Sequence, residues 1–182
     1  MNHPTRSNLR TLAGYVSAAL LALSPVAQAT EYTYTGTTAG TVNWSSGTNW
    51  SAVPVSASTT TLTFGNGTSL ASAVSLTSNN NITSPPFRLN ALNFTYAGPG
   101  SGIAPSLLIQ GNQLEFISNG GTTPTFTLAP TGTLKPTMTI TNNVLVTNDL
   151  AISNSVLLFT QGVFSGSGTI TKSGTGLGGV NK

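Results

Sequence analysis

Apolar residues recur at every sixth position through the second half of this chain. One series consists of Leu128, Leu134, Ile140, Val146, Ile152, Leu158, Phe164 and Ile170. A second series lies two residues earlier and consists of Met138, Val144, Leu150 and Val156, followed by Gly162 and Gly168. Because residues two apart point the same way from a strand, each six-residue unit predicts one short strand followed by a corner.

Asparagine marks the predicted corners, two residues after the first series, at Asn142, Asn148 and Asn154. Asparagine tolerates left-handed φ and bonds its own backbone, so we expect it to make the turn. Strands of about three residues are too short for an independent hairpin sheet, but they can form the wall of a parallel β-solenoid. We predict an all-β solenoid with a coil of about 18 residues before loops lengthen it, and with stacked Asn and Thr side chains. The alternative is a β-sandwich, whose strands are usually longer than these.

Charge is scarce, which limits the chemistry available to the chain. Its 182 residues include six Lys and Arg and three Asp and Glu, for a formal charge of +3, and Thr, Ser and Asn supply most of the polar side chains. Cysteine is absent and His3 is the one histidine. These counts exclude a disulfide scaffold, a thiolate zinc site and a Cys nucleophile, and any histidine-based catalysis would have to use His3.

The segment 1–29 predicts a signal peptide. A basic stretch with Arg6 and Arg10 precedes an apolar stretch over 11–26, and Ala27-Gln28-Ala29 supplies the small residues of a cleavage site. The apolar stretch is short for a bilayer and contains Pro25, so we expect export with cleavage after Ala29 rather than anchoring. No other stretch predicts a membrane span in the mature chain.

Cleavage would leave a nearly neutral protein. The mature chain keeps four basic residues (Arg88, Lys135, Lys172 and Lys182) and three acidic ones (Glu31, Glu115 and Asp149), for a net charge of +1. Nucleic-acid binding needs clustered Lys and Arg to neutralise phosphates, and no such cluster is present. We therefore predict no nucleic-acid partner.

The segment Phe164–Gly176, with the sequence FSGSGTITKSGTG, resembles the autotransporter-associated β-strand repeat, also called the passenger-associated transport repeat. The opening segment is similar to the N-termini of proteins that carry this repeat, through Trp44, Asn49-Trp50-Ser51, Val53-Pro54 and 62–65. The resemblance implies a right-handed parallel β-helix, secreted or exposed on the bacterial surface. Many such proteins end in an outer-membrane β-barrel that exports the passenger.

The chain departs from that family plan by carrying one partial copy of the repeat, and we expect no translocator barrel in it. We divide it into a signal peptide (1–29), an N-terminal capping segment (30–64) and a β-solenoid (65–182) truncated within the repeat at 164–176. This organisation predicts the N-terminal fragment of a passenger. A solenoid cut within a repeat exposes strand edges, so we also expect self-association.

Candidate sites are few. Glu115 and Asp149 are far apart in sequence and are expected to be solvated surface residues, as is Lys172. The prediction is therefore no catalytic residue, no cofactor and no metal site. Trp44 and Trp50 are candidate glycan contacts if their rings stack on sugars, but tryptophans at this position more often cover the end of a solenoid core.

Two functions compete at this point. The first is an exported passenger-type structural protein or stalk at the bacterial cell surface, or secreted, without enzymatic activity. The second is an adhesin or glycan-binding module that uses Trp44 and Trp50. A degenerate polysaccharide-acting enzyme is a third, weaker interpretation.

Overall fold

A computed structural model describes residues 27–83 and 86–179, so most of the predicted signal peptide lies outside the described residues. The described chain is an all-β parallel solenoid of about four turns, and its one helical element is a 3-10 turn at Trp44–Ser46. All ladders between its strands are parallel. The solenoid prediction is confirmed and the β-sandwich alternative is wrong; the right-handed sense stays a prediction.

Three sheets form the walls. Sheet 1 contains β1 (Thr30–Tyr34), β3 (Thr60–Phe64), β6 (Ala91–Phe94), β9 (Thr125–Leu128), β12 (Leu150–Asn154) and β15 (Ile170–Ser173). Sheet 2 contains β2 (Gly40–Asn43), β4 (Ser75–Asn80), β7 (Ser106–Gly111), β10 (Thr137–Ile140), β13 (Leu158–Thr160) and β16 (Gly178–Gly179). Sheet 3 contains β5 (Phe87–Leu89), β8 (Leu114–Phe116), β11 (Val144–Val146) and β14 (Phe164–Ser165). Each complete coil adds one strand to each sheet, in that order.

Coil length varies along the stack. Ala151 is the register partner of Thr171, so one of the last coils extends from 151 to 171. An earlier coil is longer still, since Ala91 is the register partner of Thr125. The six-residue spacing does describe most of the strands. The corner between β12 and β13 is longer, however, so that their first residues are eight positions apart, and Leu134 lies in a loop. The prediction of about 18 residues before loops lengthen the coil therefore fits the last coils, where 171 − 151 gives 20 residues, and longer loops lengthen the earlier coils.

The core is built from columns of inward side chains. In sheet 1, Leu62, Leu92, Phe126 and Ile152 occupy one register position in successive coils, and each is almost fully buried. The same position in the last described coil is held by Lys172, which is exposed. Along most strands apolar side chains point inside and polar ones outside, as period-two patterns require. Ser78, Asn80 and Asn154 are buried polar exceptions.

The corner asparagines match the prediction only in part: Asn154 Nδ2 donates to its own local backbone at the Val156 carbonyl, 3.2 Å away, but none of the three has a left-handed φ. Among the described residues, positive φ outside glycine occurs at Asn49, Asn66 and Ala73, and at none of the repeat asparagines. Asn142 is instead buried and donates from Nδ2 to the Asn112 carbonyl at 2.7 Å. The side-chain Nδ2 of Asn80 donates to the same Asn112 carbonyl at 3.1 Å, so hydrogen bonds join three successive coils at this corner. Stacking is therefore present, but it works through coil-to-coil bonds rather than left-handed turns.

The N-terminal end of the stack is covered by the segment 49–57. Ser51 N donates to Thr33 O at 2.8 Å and Thr35 N donates to Asn49 O at 2.9 Å, which pairs this segment with the free edge of β1. Ala57 N donates to the Arg88 carbonyl at 3.2 Å, beside the edge of β5. The first edges of sheets 1 and 3 are thus satisfied within the chain.

The other end is open within the described residues. There β14, β15 and β16 are the last strands of their sheets, and no described segment pairs with their outer edges. Unpaired edges are sites where another chain can add. Self-association stays a prediction.

Candidate functional site

The two tryptophans lie in the core rather than on the surface. Trp44 is 0% exposed and Trp50 is 7% exposed. The Trp44 ring meets Phe87 edge-on at a centroid distance of 5.0 Å, and Trp50 lies 5.1 Å from Tyr34 and 5.3 Å from Phe64. Stacking on a sugar needs an accessible ring face, so the burial of Trp44 and Trp50 favours the role in covering the solenoid core over the candidate glycan contact.

A buried tyrosine ties the covered end to the coils behind it. The Tyr96 hydroxyl donates to the Gly36 carbonyl at 2.6 Å, across 60 residues of sequence. Burial raises the pKa of Tyr96 well above its ordinary value, and the nearby Tyr34 adds to the shift. Burial also raises the pKa of Tyr34, against a smaller opposing effect from its hydrogen bond with Asn49. Both phenols are therefore held neutral in the fold.

Raising the pH above about 10 is expected to lower the free energy of unfolding, because tyrosines of the unfolded chain ionise near that pH whereas Tyr34 and Tyr96 resist ionisation when folded. A raised folded pKa gives stabilisation that is complete below the unfolded pKa and is lost as the pH rises beyond it. Urea titrations at about pH 8 and about pH 11 measure the loss. Tyr96→Phe should show a shallower decline, and a decline equal to that of the unaltered chain would contradict the assignment to Tyr96.

Glu115 is buried, which corrects the expectation of a solvated residue. It lies on β8 and is 5% exposed. Its Oε2 accepts from Arg88 Nε at 2.9 Å and its Oε1 accepts from Thr147 Oγ1 at 2.7 Å, so β5, β8 and the residue after β11 are joined on the outer face of sheet 3. Because the Arg88 side chain is 56% exposed, solvent screens this pair and its contribution to stability is small.

The other candidates are exposed, as expected. Asp149 Oδ1 accepts from Thr169 N at 2.9 Å, a contact that joins two coils. Lys172 Nζ donates to the Gly176 carbonyl at 2.9 Å. Glu115 and Asp149 therefore serve separate coil contacts, and no hydrogen bond or ion pair among the described residues links their carboxylates.

A groove of about 730 Å³ opens beside Arg88. Its walls are the two loops around Val53–Ser56 and Asn81–Thr83, completed by Ser45, Pro86 and Arg88. The volume is in the range of small-molecule sites, but the walls are mostly apolar and Arg88 is their one charged residue. Within the described part of the chain, no group of three or more His, Asp or Glu side chains could hold a metal ion. Nor do residues 27–83 and 86–179 contain a helix long and apolar enough to span a bilayer.

Sequence reasoning missed Arg88 and Thr147, because their link to Glu115 depends on the lengths of whole coils rather than on the six-residue period.

Comparison of the chain with protein-family models, with curated proteins and with solved structures finds no match. The class that the structure defines is thus a parallel β-solenoid with one covered end.

Proposed function

We propose that this chain is an exported, non-catalytic β-solenoid that serves as a structural passenger or stalk at the bacterial surface. The observation that carries the proposal is the uninterrupted register of sheet 1, in which six strands stack without an inserted domain. Strands about 4.8 Å apart give such a stack a length of about 24 Å. A stack of this kind separates what is attached at its two ends, which is what a stalk does.

The first described strand begins where the predicted signal peptide ends. The strand β1 starts at Thr30, and residues 27–30 are exposed, so cleavage after Ala29 would leave every described strand intact. Among the described residues, the cleavage would remove the hydrogen bond that Asn119 Nδ2 donates to the Ala27 carbonyl at 2.8 Å. Export followed by cleavage is therefore compatible with the fold as well as with the sequence pattern.

Expression of the full chain with a C-terminal epitope tag in a Gram-negative host tests the proposal. We expect the tag outside the cytoplasm and an N-terminus at Thr30 by terminal sequencing. Ala29→Arg, which places a large charged residue next to the cleaved bond, should leave the uncut chain. A cytoplasmic tag, or an exported chain that still begins at Met1, would contradict the proposal.

The adhesin alternative is weakened by the buried tryptophans. Glycan binding through Trp44 and Trp50 would require the covered end to open, which the packing of their rings against Tyr34, Phe64 and Phe87 opposes. A purified chain that binds a glycan array saturably would revive the alternative, and it would direct the search to the groove beside Arg88.

A further inference from the structure

The outer face of sheet 1 is a regular array in which ten of the twelve outward side chains are Thr, Ser or Ala. Glu31 and Asn93 are the other two, and Thr63 beside them is buried. Two outward positions, two residues apart, repeat on all six strands of the sheet in strict register. The first row is Glu31, Thr61, Ala91, Thr125, Ala151 and Thr171. The second row is Thr33, Thr63, Asn93, Thr127, Ser153 and Ser173. Parallel strands set a repeat of about 4.8 Å along each row and about 6.6 Å between rows.

Several hydroxyls of this array are free to bind water. Thr63 donates to Glu31 at 2.6 Å and Asn93 donates to Thr63 at 3.3 Å, near the N-terminal edge. Farther along the face, the side chains of Thr125, Thr127 and Ser153 make no hydrogen bond within the described chain. Threonine adds a methyl group beside each hydroxyl, so the face alternates groups that bind water with groups that exclude it.

The other two faces lack this regularity. Sheet 2 also carries outward Thr and Ser side chains in register, but its rows are broken. Leu108 interrupts the row that contains Thr77 and Thr139. Asn79 and Gln110 form a row of longer amides, and sheet 3 carries the Arg88–Glu115 pair. In the two outward rows of sheet 1, Glu31 is the charged residue, and it lies at the covered end. Charged groups hold their own hydration water tightly and are costly to dehydrate, so a face nearly without charge is the one that can share an ordered water layer.

We propose that the outer face of sheet 1 binds ice. Ice presents water molecules at fixed repeats of a few ångströms, so a rigid array with its own fixed repeat can hold several lattice waters at once. A crystalline polysaccharide is also periodic, but sugar rings are bound best by exposed aromatic faces, and none of the outward residues in the two rows is aromatic. The proposal does not depend on export or on the role as a stalk.

Ice crystals grown in a solution of the purified full chain test this inference. We expect faceted crystals, a gap between melting and freezing temperatures, and slower recrystallisation than in albumin at equal concentration. Thr127→Tyr places a large ring in the middle of the array and should abolish all three effects. Thr139→Tyr is the matched control, since Thr139 is a half-buried outward residue of the same coil on sheet 2, and it should leave them unchanged.

Circular dichroism checks that both variants fold, and Ala151→Tyr, at an exposed position of sheet 1, replaces Thr127→Tyr if that variant does not fold. Rounded crystals and unchanged recrystallisation with the unaltered chain would overturn the inference. So would equal losses in the sheet 1 and sheet 2 variants. Retention on crystalline cellulose or chitin without any effect on ice would assign the face to a polysaccharide and would also overturn it.

Discussion

Trp44→Ala is expected to lower the free energy of unfolding by about 3–5 kcal/mol, the usual cost of removing a large buried aromatic side chain. The Trp44 ring is fully buried and packs edge-on against Phe87. The centroids of the Trp44 and Trp50 rings lie 5.7 Å apart. Its Nε1 donates to Ser78 Oγ at 2.7 Å, so the substitution also leaves a buried hydroxyl without its partner. Urea unfolding followed by circular dichroism measures the loss.

Two controls separate packing from general sensitivity. Trp44→Phe keeps a ring but loses the bond to Ser78, so we expect a smaller loss than for alanine. Val55→Ala alters an exposed side chain of the covering segment, 57% accessible, and should change stability by about 0.5 kcal/mol or less. If Trp44→Ala were as stable as Val55→Ala, the aromatic cluster would not hold this end of the stack.

Gly162→Ala is expected to cost about 3 kcal/mol, at the upper end of the range for overpacking. A Cβ at Gly162 would lie 1.8 Å from the carbonyl oxygen of Asn142 in the preceding coil. Both groups in the collision are close to the backbone, so no side chain can turn aside to relieve it. The φ of Gly162 is not left-handed, which means that the cost comes from the contact between coils rather than from backbone strain.

Gly100→Ala is the matched control. Gly100 also lacks a left-handed φ, and a Cβ there would meet no atom within 4 Å. The same substitution should therefore leave the midpoint of urea unfolding nearly unchanged. Equal effects at Gly162 and Gly100 would mean that the coils can separate at this corner without loss.

The sequence period predicted the strands well because burial follows it directly. Met138, Val144, Leu150 and Val156 of the second series are all buried, and so are the first-series residues from Ile140 to Phe164. The length of the longer coils was not predictable in this way. The period gives the spacing between successive strands, but it does not show which corner carries a longer loop. The glycines at Gly162 and Gly168, which interrupt the second series, were the available signal for close contact with the preceding coil.

The candidate site was harder to predict because it depends on which coils meet. Glu115 reads as one isolated acid in the sequence, yet its partners Arg88 and Thr147 lie 27 and 32 residues away. These side chains meet because β5, β8 and β11 pair in register in successive coils. The loops between these strands set that register, and their sequence has no periodic pattern from which it could be predicted. The Trp pair posed the opposite problem, since tryptophans suit both a sugar platform and a core, and only burial distinguishes the two.

The two ends of the stack are unequal, and this limits the symmetry of any assembly built through strand edges. The segment 49–57 already occupies the first edges of sheets 1 and 3, whereas β14, β15 and β16 end their sheets without a described neighbour. Head-to-tail addition, which produces open filaments, would have to displace that segment. Contact between two free ends instead places the same surface on both sides of a two-fold axis and closes after two copies. The covering of sheets 1 and 3 thus opposes use of the molecule as a repeating link in a stack and leaves the outer edge of β2 in sheet 2 as the one first edge without a described partner.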